Sequence, residues 1–472
     1  MTHTFTALLA AAAVALTPLW PADSQAIDRD EGELVGDFLE AFNDLRYDEE
    51  LTPLAHSSEL ASVAQTWTEQ MAADDELAHN PSLASDVGSF QRLGENVGYT
   101  TTSVGDHVDR LMNAFLDSPG HRANKLSDKW SQVGIGAVRD GNTTWVTFVF
   151  RNDDIANYTD GRQTRHAGTD RYATAARIAE DTVGTADRAL LARGDDVADA
   201  LAATPVAGSW DAPVLLTRTD TVPAETLSAL DRLDVDQVTI AGGERAISND
   251  VADTLRAAGY AVDRIAGDDR YATAADLATA ADPDVVYLAG GGQPDPNRGW
   301  PDALSAGAAA AANDDEAVLL TRSNRLPSAT AEALAAIDPS KVIIVGGERV
   351  VAADVASDVA ALGLDVERVA GGDRFETNLL MLEATDDGRY DGTDTWVATG
   401  RNWPDALAAG ASAGAAGESL LLVDGHDPDN NRQALRWVDQ RRGTLDRVVA
   451  AGSDVVVSGD VLNRLDLQLF SR

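Results

Sequence analysis

Histidine is concentrated near the start of this 472-residue chain. Four of the seven histidines lie at positions 56, 79, 107 and 121, and two of these belong to the motifs His79-Asn-Pro81 and Asp117-Ser-Pro-Gly-His-Arg-Ala-Asn124. Between them, Gly94-Glu-Asn-Val-Gly98 supplies a carboxylate. Imidazoles and carboxylates that converge on a cleft can hold a divalent cation, or transfer protons near neutral pH. The chemistry therefore depends on whether the fold brings the motifs together.

These three motifs, in this order, resemble those of the CAP superfamily, the secreted cysteine-rich, antigen 5 and pathogenesis-related proteins, over about residues 33–151. The resemblance implies an α+β sandwich whose central cleft is lined by two histidines and two acidic residues. By motif these are His79, Glu95 and His121, with Asp117 as the nearest candidate for the second acid. It thereby implies a site for a divalent cation such as Zn²⁺.

Two other interpretations of the cleft stay open. In the first, His79 and His121 satisfy backbone groups and Glu95 caps a turn, so that the three residues are structural. In the second, the cleft is the active site of a hydrolase or peptidase. A Ser-His-Asp triad is not supported, because no nucleophile-elbow pattern surrounds Ser118. His56 and His107 lie outside the motifs, and we expect them to be structural.

The elements that position the cleft follow from hydrophobic periodicity. Helical patterns cover 33–56 and 57–73. Strand patterns cover 133–138 and 144–150, on either side of the turn Asp140-Gly141-Asn142. Helices first and a hairpin last predict an α+β sandwich with the strands between helical layers.

The rest of the chain is one module in three copies. The phrase Gly168-Thr-Asp-Arg-Tyr-Ala-Thr-Ala-Ala176 returns at 267–275 and, altered, at 371–377. In the first copy, strand patterns alternate with helical patterns, which predicts α/β modules with a parallel sheet covered on both faces. The strands are expected at 188–192, 212–217 and 237–241, and the helices at 197–207, 224–233 and 248–258. A fixed period usually serves binding rather than catalysis.

The repeated phrases resemble the cell-wall-binding type 2 repeat of Gram-positive surface proteins, over residues 165–472. The resemblance implies that the three modules pack as an intrachain pseudo-trimer and hold the protein to the envelope by binding an anionic polymer non-covalently. The expected segments are a signal peptide (1–26), a CAP domain (27–151), a linker (152–164) and repeats at 165–263, 264–367 and 368–472.

Candidate binding residues follow the strands of the first two copies. Open parallel sheets bind ligands beyond the carboxyl ends of their strands. Those ends carry Arg218 and Arg322, whose guanidinium groups suit phosphate or carboxylate, and the pairs Gly242-Gly243 and Gly346-Gly347. The glycine pairs either bring backbone N–H groups close to a ligand or form tight turns. The third copy has Val423-Asp424 instead of Thr-Arg, so the three copies are not expected to bind equally.

Three further residue types lie at predicted helix starts. Asp199, Asp302 and Asp405 each open a helix, where a carboxylate is stabilising. Trp300 and Trp403 precede Pro-Asp, and packing is a more common role for them than stacking on a sugar. Ser248 is a candidate N-cap.

Composition limits the partners and the compartment. The formal net charge is −40 and there are three lysines, at positions 125, 129 and 341, which argues against nucleic acid and indicates adaptation to high salt. Residues 1–26 have the apolar run and small-residue exit of a secretory signal, and no later apolar run reaches the ~20 residues of a membrane span. Without cysteine there are no disulfides, so each domain depends on its core.

The sequence therefore predicts a secreted protein anchored to the cell wall, with anchoring favoured over catalysis. The alternative is a cell-wall hydrolase or peptidase that acts through the CAP cleft, since the repeats and the CAP domain leave no length for an amidase domain. A nucleotide-dependent enzyme is excluded because no Gly-x-Gly-x-x-Gly follows a strand and no Walker loop occurs.

Overall fold

The computed structural model describes residues 15–16, 31–102, 106–153, 162–292 and 300–469. The signal expected at 1–26 and most of the linker expected at 152–164 lie outside these residues. The chain divides into two compact units, unit 1 with residues 1–160, 435–443 and 463–472, and unit 2 with residues 161–434 and 444–462. No helix of the described residues is long and apolar enough to cross a membrane.

Unit 1 is built on one sheet, of order β1-β3-β5-β4-β2, in which β3, β5 and β4 are antiparallel neighbours. Its strands are β1 (Ala15–Leu16), β2 (Ala55–His56), β3 (Arg92–Thr101), β4 (Gln132–Asp140) and β5 (Thr143–Asn152). Its helices are α1 (Glu31–Asp48), α2 (Ser58–Asp74), α3 (Leu83–Asp86), α4 (His107–Asp117) and α5 (Pro119–Lys125).

Helices cover both faces of this sheet. Phe148 and Phe150 alternate to one face and pack with α1 and α4, whereas Val149 packs with α2 on the other. Gly134 and Gly136 are required because a Cβ at either would collide with the α2 backbone. The predicted α+β sandwich, with strands between helical layers, is confirmed.

Unit 1 also contains two segments from the end of the chain, 435–443 and 463–472. Asn43 of α1 donates to the Asp439 carboxylate at 3.0 Å, and Arg464 donates to the Pro53 carbonyl at 2.7 Å. Gln468 donates to Asp439 and to the Leu54 carbonyl. These buried polar contacts hold the two segments against α1 and the turn between α1 and β2.

Unit 2 holds three parallel four-stranded sheets, one for each module, with orders β10-β9-β7-β8, β12-β11-β13-β14 and β16-β15-β17-β6. Their strands are β6 (Gln163–His166), β7 (Arg188–Arg193), β8 (Val214–Thr217), β9 (Gln237–Ala241), β10 (Ala261–Ile265), β11 (Val285–Gly292), β12 (Glu316–Arg322), β13 (Lys341–Val345), β14 (Val366–Val369), β15 (Asp394–Thr399), β16 (Ser419–Val423) and β17 (Arg447–Ala451).

The helices of the repeat region run from the first phrase to the end of the chain. They are α6 (Arg171–Thr182), α7 (Ala198–Ser209), α8 (Ala224–Arg232), α9 (Asn249–Ala258), α10 (Arg270–Ala281), α11 (Trp300–Ala310), α12 (Ser328–Ile337), α13 (Ala353–Ala360), α14 (Arg374–Ala384), α15 (Pro404–Ala415), α16 (Arg432–Gln440) and α17 (Gly459–Leu469). The predicted alternation of strands and helices in the first copy is confirmed.

The first strand of the repeats belongs to the third sheet. β6 precedes every other repeat element in sequence, yet it pairs in parallel with β17, from Gln163 opposite Val448 to His166 opposite Ala451. It takes the edge position that β10 and β14 take in the other two sheets. The first strand of the repeat region, β6, therefore completes the sheet of the last module.

The three helices that open with Asp-Ala-Leu share one buried core. α7, α11 and α15 contact one another in pairs and are rich in alanine and glycine. A Cβ at Gly208 or at Gly414 would collide with Ala311, so these small residues permit the close approach. A pseudo-threefold arrangement of the modules stays a prediction.

Candidate functional site

His79 and Glu95, which come from two different motifs, are in direct contact in unit 1. His79 lies in the loop between α2 and α3, and its Nδ1 is 2.6 Å from Oε2 of Glu95 on β3. The same oxygen accepts a hydrogen bond from the Asn80 amide at 3.1 Å. Because Glu95 is almost fully buried, these donors are what offset the cost of placing a carboxylate there.

Two asparagines of the motifs hold His121 near this pair. Asn124 of α5 donates to the Glu95 carbonyl at 3.2 Å and to the Asn96 side chain at 2.9 Å, and Asn96 donates to the His121 carbonyl at 3.1 Å. These buried bonds connect Gly-Glu-Asn on β3 with His-Arg-Ala-Asn on α5. The asparagines of the motifs therefore have a structural role, which the motif pattern alone did not indicate.

The His121 imidazole is buried and lacks polar partners. Among the described residues neither ring nitrogen has a hydrogen-bond partner, and the ring packs edge-on against Phe115 with centroids 5.0 Å apart. Burial, followed by the charges of His79 and Lys125, lowers the pKa of His121 to about 4. The ring is therefore neutral at pH 7 and has a lone pair to offer.

Lys125, one of three lysines in the chain, lies in the same core. Its Nζ is 5.3 Å from the Phe115 ring centroid and 5.6 Å from that of Phe148, and it donates to the Met112 sulfur. Burial lowers the pKa of Lys125 to about 7. Lys125 ends the polar helix α5, whose sequence does not indicate that this lysine is buried.

The remaining candidates lie apart from this cluster. Asp117 is exposed at the end of α4. His107 contacts the Thr144 hydroxyl at 2.6 Å, which is a structural role, and burial lowers the pKa of His56 to about 4. Within the described part of the chain, no group of three or more His, Asp and Glu side chains is arranged to hold a metal ion.

In unit 2 the repeated phrase forms the same local structure three times. The aspartates at 170, 269 and 373 cap α6, α10 and α14 by accepting from the backbone N–H groups of the second and third residues of each helix. The following arginines, at 171, 270 and 374, donate to the carbonyls of Gly194, Gly291 and Gly400 at the carboxyl end of a strand. Ser248 is the N-cap residue of α9, as predicted, although its hydroxyl makes no capping hydrogen bond.

Arg218 and Arg322 lie at the carboxyl ends of β8 and β12, each over an aromatic ring of the phrase. The Arg218 guanidinium is 4.6 Å from the Tyr172 ring centroid, and that of Arg322 is 4.8 Å from the Tyr271 centroid. Their side chains remain 56% and 43% exposed. The nearest carboxylates, Asp170 and Asp269, are at 3.9 and 4.0 Å.

The third copy has a different arrangement at this position. Asp424 stands in place of arginine, and its carboxylate accepts from Arg401 at 2.5 Å and from Asn430 at 3.0 Å. The hydrogen bond from Arg401 is the main cause that lowers the pKa of Asp424 to about 2. The third copy thus presents a neutralised pair where the first two present an exposed cation.

The glycine pairs form tight turns against the central helices. The Gly242 amide donates to the Ile265 carbonyl at 2.9 Å and the Gly346 amide to the Val369 carbonyl at 2.8 Å, so neither N–H is available to a ligand. Both have positive φ, and a Cβ would collide with the carboxylates of Asp199 and Asp302. The carbonyls of Gly243 and Gly347 accept hydrogen bonds from backbone amides three and four residues further along the chain. A role of the four glycines in ligand binding stays a prediction.

Both regions match known families. Residues 165–252, 264–356 and 368–462 match cell wall binding domain 2 (CWB2), and residues 39–150 match the cysteine-rich secretory protein family, CAP. The CWB2 matches cover more than half of the chain. The chain belongs to the CWB2 family and carries a CAP domain. The resemblances seen in the sequence are therefore confirmed.

Curated relatives from Bacillus subtilis share part of this CWB2 protein. It is 28% identical over 312 residues to the N-acetylmuramoyl-L-alanine amidase LytC and 28% identical over 304 residues to an amidase enhancer. These alignments cover 65% and 64% of the chain but 58% and 40% of the relatives. The matches support a protein associated with the cell wall.

Solved structures with the same fold come from Clostridium difficile. Cwp8 has a TM-score of 0.56 at 20% identity, with 89% of this chain and 68% of that one covered. Cwp6 has a TM-score of 0.56 at 23% identity, with 64% of this chain and 48% of that one covered.

Proposed function

We propose that this CWB2 protein is secreted and held on the cell wall by its repeats, which bind an anionic envelope polymer non-covalently. The observation that supports it most directly is the pair Arg218 and Arg322. Each guanidinium is held over a tyrosine at the edge of a sheet, so its direction is set before a ligand arrives, and its planar fork remains exposed for phosphate or carboxylate.

The net charge of −40 opposes such a partner at low salt. Salt screens charges that are far apart, to about 3 Å at 1 M, whereas direct contacts between arginine and an anion persist. Binding through two local arginine sites is therefore compatible with an acidic surface at high ionic strength. Two weak sites on one polymer also reinforce each other through effective concentration.

Retention on isolated cell walls of the same species tests the anchoring. The full chain is used, because segments 435–443 and 463–472 belong to unit 1 and a cut at residue 160 would remove them. Arg218→Ala with Arg322→Ala should weaken retention about tenfold or more, since a charged hydrogen bond contributes roughly 1.5 kcal/mol or more.

The matched control is Arg232→Ala with Arg256→Ala, which makes the same charge change at two exposed helix positions. Walls stripped chemically of their anionic polymer should not retain the wild-type protein. Equal retention of the two double variants, or unchanged retention on stripped walls, would overturn the assignment.

The CAP cleft is a second candidate site, and we propose that it binds a divalent cation such as Zn²⁺ through His79, Glu95 and His121. The buried His121 ring, neutral at pH 7 and without polar partners among the described residues, supports this. His79 and Glu95 contribute an imidazole and a carboxylate beside it. The donor set suits zinc, although these groups are not arranged as a ligand cluster here.

Calorimetric titration of the full chain with ZnCl₂ tests the cation site. The wild type should bind about one equivalent, and His79→Ala with His121→Ala should abolish this binding without changing the circular dichroism spectrum. His426→Ala, at an exposed histidine of unit 2, is the control and should bind like the wild type. Absence of zinc uptake by the wild type would leave a structural role. Wall hydrolysis that the double variant loses would favour the hydrolase alternative.

A further inference from the structure

A cavity of about 570 Å³ lies in unit 2 at the amino ends of the third module's strands. It is lined by residues of β6, β15 and β17, by Glu418 directly before β16, and by the loop after α6, the segment 211–213 and the end of α15. We refer to it as the Glu418 pocket. It lies at the opposite edge of the sheet from Asp424 and the other strand-end residues described above.

The pocket wall combines aromatic rings and carboxylates. The Trp396 indole donates to the Glu418 carboxylate at 2.6 Å, and the His166 ring stacks on Trp396 with centroids 5.2 Å apart. Asp181 holds His166 Nδ1 at 2.7 Å. Arg447 is engaged with Asp394 through two contacts. Among the described residues, the Glu418 carboxylate accepts one hydrogen bond, from Trp396.

The second module shows what such a glutamate binds. Glu316 directly precedes β12 residue Ala317, as Glu418 directly precedes Ser419, and strand register makes Tyr287 the counterpart of Trp396. Tyr287 donates to Glu316 at 2.8 Å, just as Trp396 donates to Glu418.

In that module a guanidinium completes the arrangement. Arg389 donates to both oxygens of Glu316 at 2.8 Å and to the Ala309 carbonyl at 3.3 Å. Both side chains are almost fully buried, with 8% and 4% exposure. Ser412 holds the position of Ala309 in the third module, seven residues after the helix-opening aspartate, and it lines the Glu418 pocket.

The loops explain the difference between the two junctions. Arg389 lies in the nine-residue loop 385–393 between α14 and β15. The corresponding loop after α6 has five residues, 183–187, and contains neither arginine nor lysine. The same glutamate and aromatic donor therefore occur twice, once with a guanidinium from the chain and once facing a cavity.

From this internal comparison we propose that the Glu418 pocket binds a guanidinium group of a ligand. The group pairs with Glu418 as Arg389 pairs with Glu316, and the indole N–H keeps the carboxylate in position. Asp181 and Asp211 add negative charge to the lining, whose one arginine, Arg447, is already paired with Asp394. The volume is within the range of small-ligand sites. The site is separate from the strand-end arginines, so it does not depend on wall anchoring.

Titration of the full chain with ethylguanidinium, followed by calorimetry, tests the site. The wild type should bind one equivalent, and Glu418→Gln should weaken the binding about tenfold or more, because it removes the charge but keeps an acceptor for Trp396. Ethylammonium should bind less tightly, since it lacks the planar fork. Glu225→Gln, at an exposed helix position outside the pocket, is the control for nonspecific attraction to an acidic protein.

A second variant supplies the guanidinium from the chain itself. Gly184 lies in the short loop and lines the pocket, and a Cβ there would have no atom within 4 Å. Gly184→Arg should abolish ethylguanidinium binding and raise the melting temperature, and the added Glu418→Gln change should remove that gain.

A parallel titration with the tripeptide Gly-Arg-Gly distinguishes an arginine side chain from a small guanidinium compound as the natural ligand. Binding of the tripeptide indicates an arginine of a protein or peptide, whereas binding of ethylguanidinium alone indicates a small molecule. No saturable wild-type binding up to about 10 mM, a range that covers even weak millimolar sites, would overturn the proposal. Equal affinity of Glu418→Gln and the wild type would overturn it as well.

Discussion

Of the aspartates that open the three central helices, Asp302 and Asp405 are buried and Asp199 is half-buried. Thr273 of the second phrase donates to Asp199 of the first module, and Thr174 of the first phrase donates to Asp405 of the third. Burial raises the pKa of Asp302 to about 7 and that of Asp405 to about 6. These groups therefore do more than stabilise helix starts, because their burial links the cohesion of the modules to pH.

The sign of this pH dependence follows from proton binding. Between an unfolded pKa of about 3.9 and the folded pKa of about 7, the folded state holds the Asp302 proton that the unfolded state has released. The stability contributed by Asp302 is thus complete below pH 4 and is lost as pH rises toward 7. Asp302→Asn should remove this dependence. The free energy of unfolding of the variant should therefore rise relative to that of the wild type by on the order of 1 kcal/mol for each pH unit between about 4 and 7.

Urea unfolding of both proteins at pH 4.5, 6 and 7.5 measures the effect. Asp314→Asn, an exposed carboxylate after α11, serves as the control and should run parallel to the wild type. A constant difference between Asp302→Asn and the wild type across the three pH values would contradict the prediction.

At the scale of elements, hydrophobic periodicity predicted where helices and strands occur, but it did not predict which strands pair with each other. The strands β7, β8 and β9 were expected within two residues of their ends, because short Val- and Leu-rich segments between turns are strong local signals. Strand β6 could not be assigned, since its partner Val448 lies almost three hundred residues away and periodicity carries no information about pairing. Likewise, the motifs gave His79 and Glu95, but Asp117 proved to be exposed.

Because β6 completes the sheet of the third module, a substitution near residue 164 should destabilise that sheet rather than the sheet of the first module. The Val448 amide donates to the Arg162 carbonyl and the Gly452 amide to that of His166, an alternation that directs the Thr164 N–H toward β17. Thr164→Pro removes that donor and should increase hydrogen exchange in β17 while β7 and β9 keep their protection.

Thr164→Val retains the N–H and a β-branched side chain, so it should leave exchange in β17 unchanged. If Thr164→Pro instead deprotects the first module's sheet, or changes nothing, β6 does not complete the third sheet in solution.

At the scale of the whole molecule, negative charge dominates. Asp and Glu number 77 against 37 Lys and Arg. Many of the arginines are engaged in ion pairs, such as Arg389 with Glu316 and Arg447 with Asp394, so the surplus carboxylates repel one another at the surface. Such repulsion weakens the compact state more than the expanded one.

The melting temperature should therefore rise from dilute buffer to molar KCl. The screening length shortens from about 10 Å at 0.1 M salt to about 3 Å at 1 M, which removes most repulsion between exposed carboxylates while buried pairs such as Arg389 and Glu316 are little affected. Circular dichroism melts across this range measure the effect, with sucrose at equal osmolality as the control for exclusion from the surface. Because charge screening requires ions, sucrose should reproduce only a small part of the increase. A flat or falling curve in KCl would show that the acidic surface is not an adaptation to salt, and the arginine sites would then have to bind an anionic polymer against unscreened repulsion.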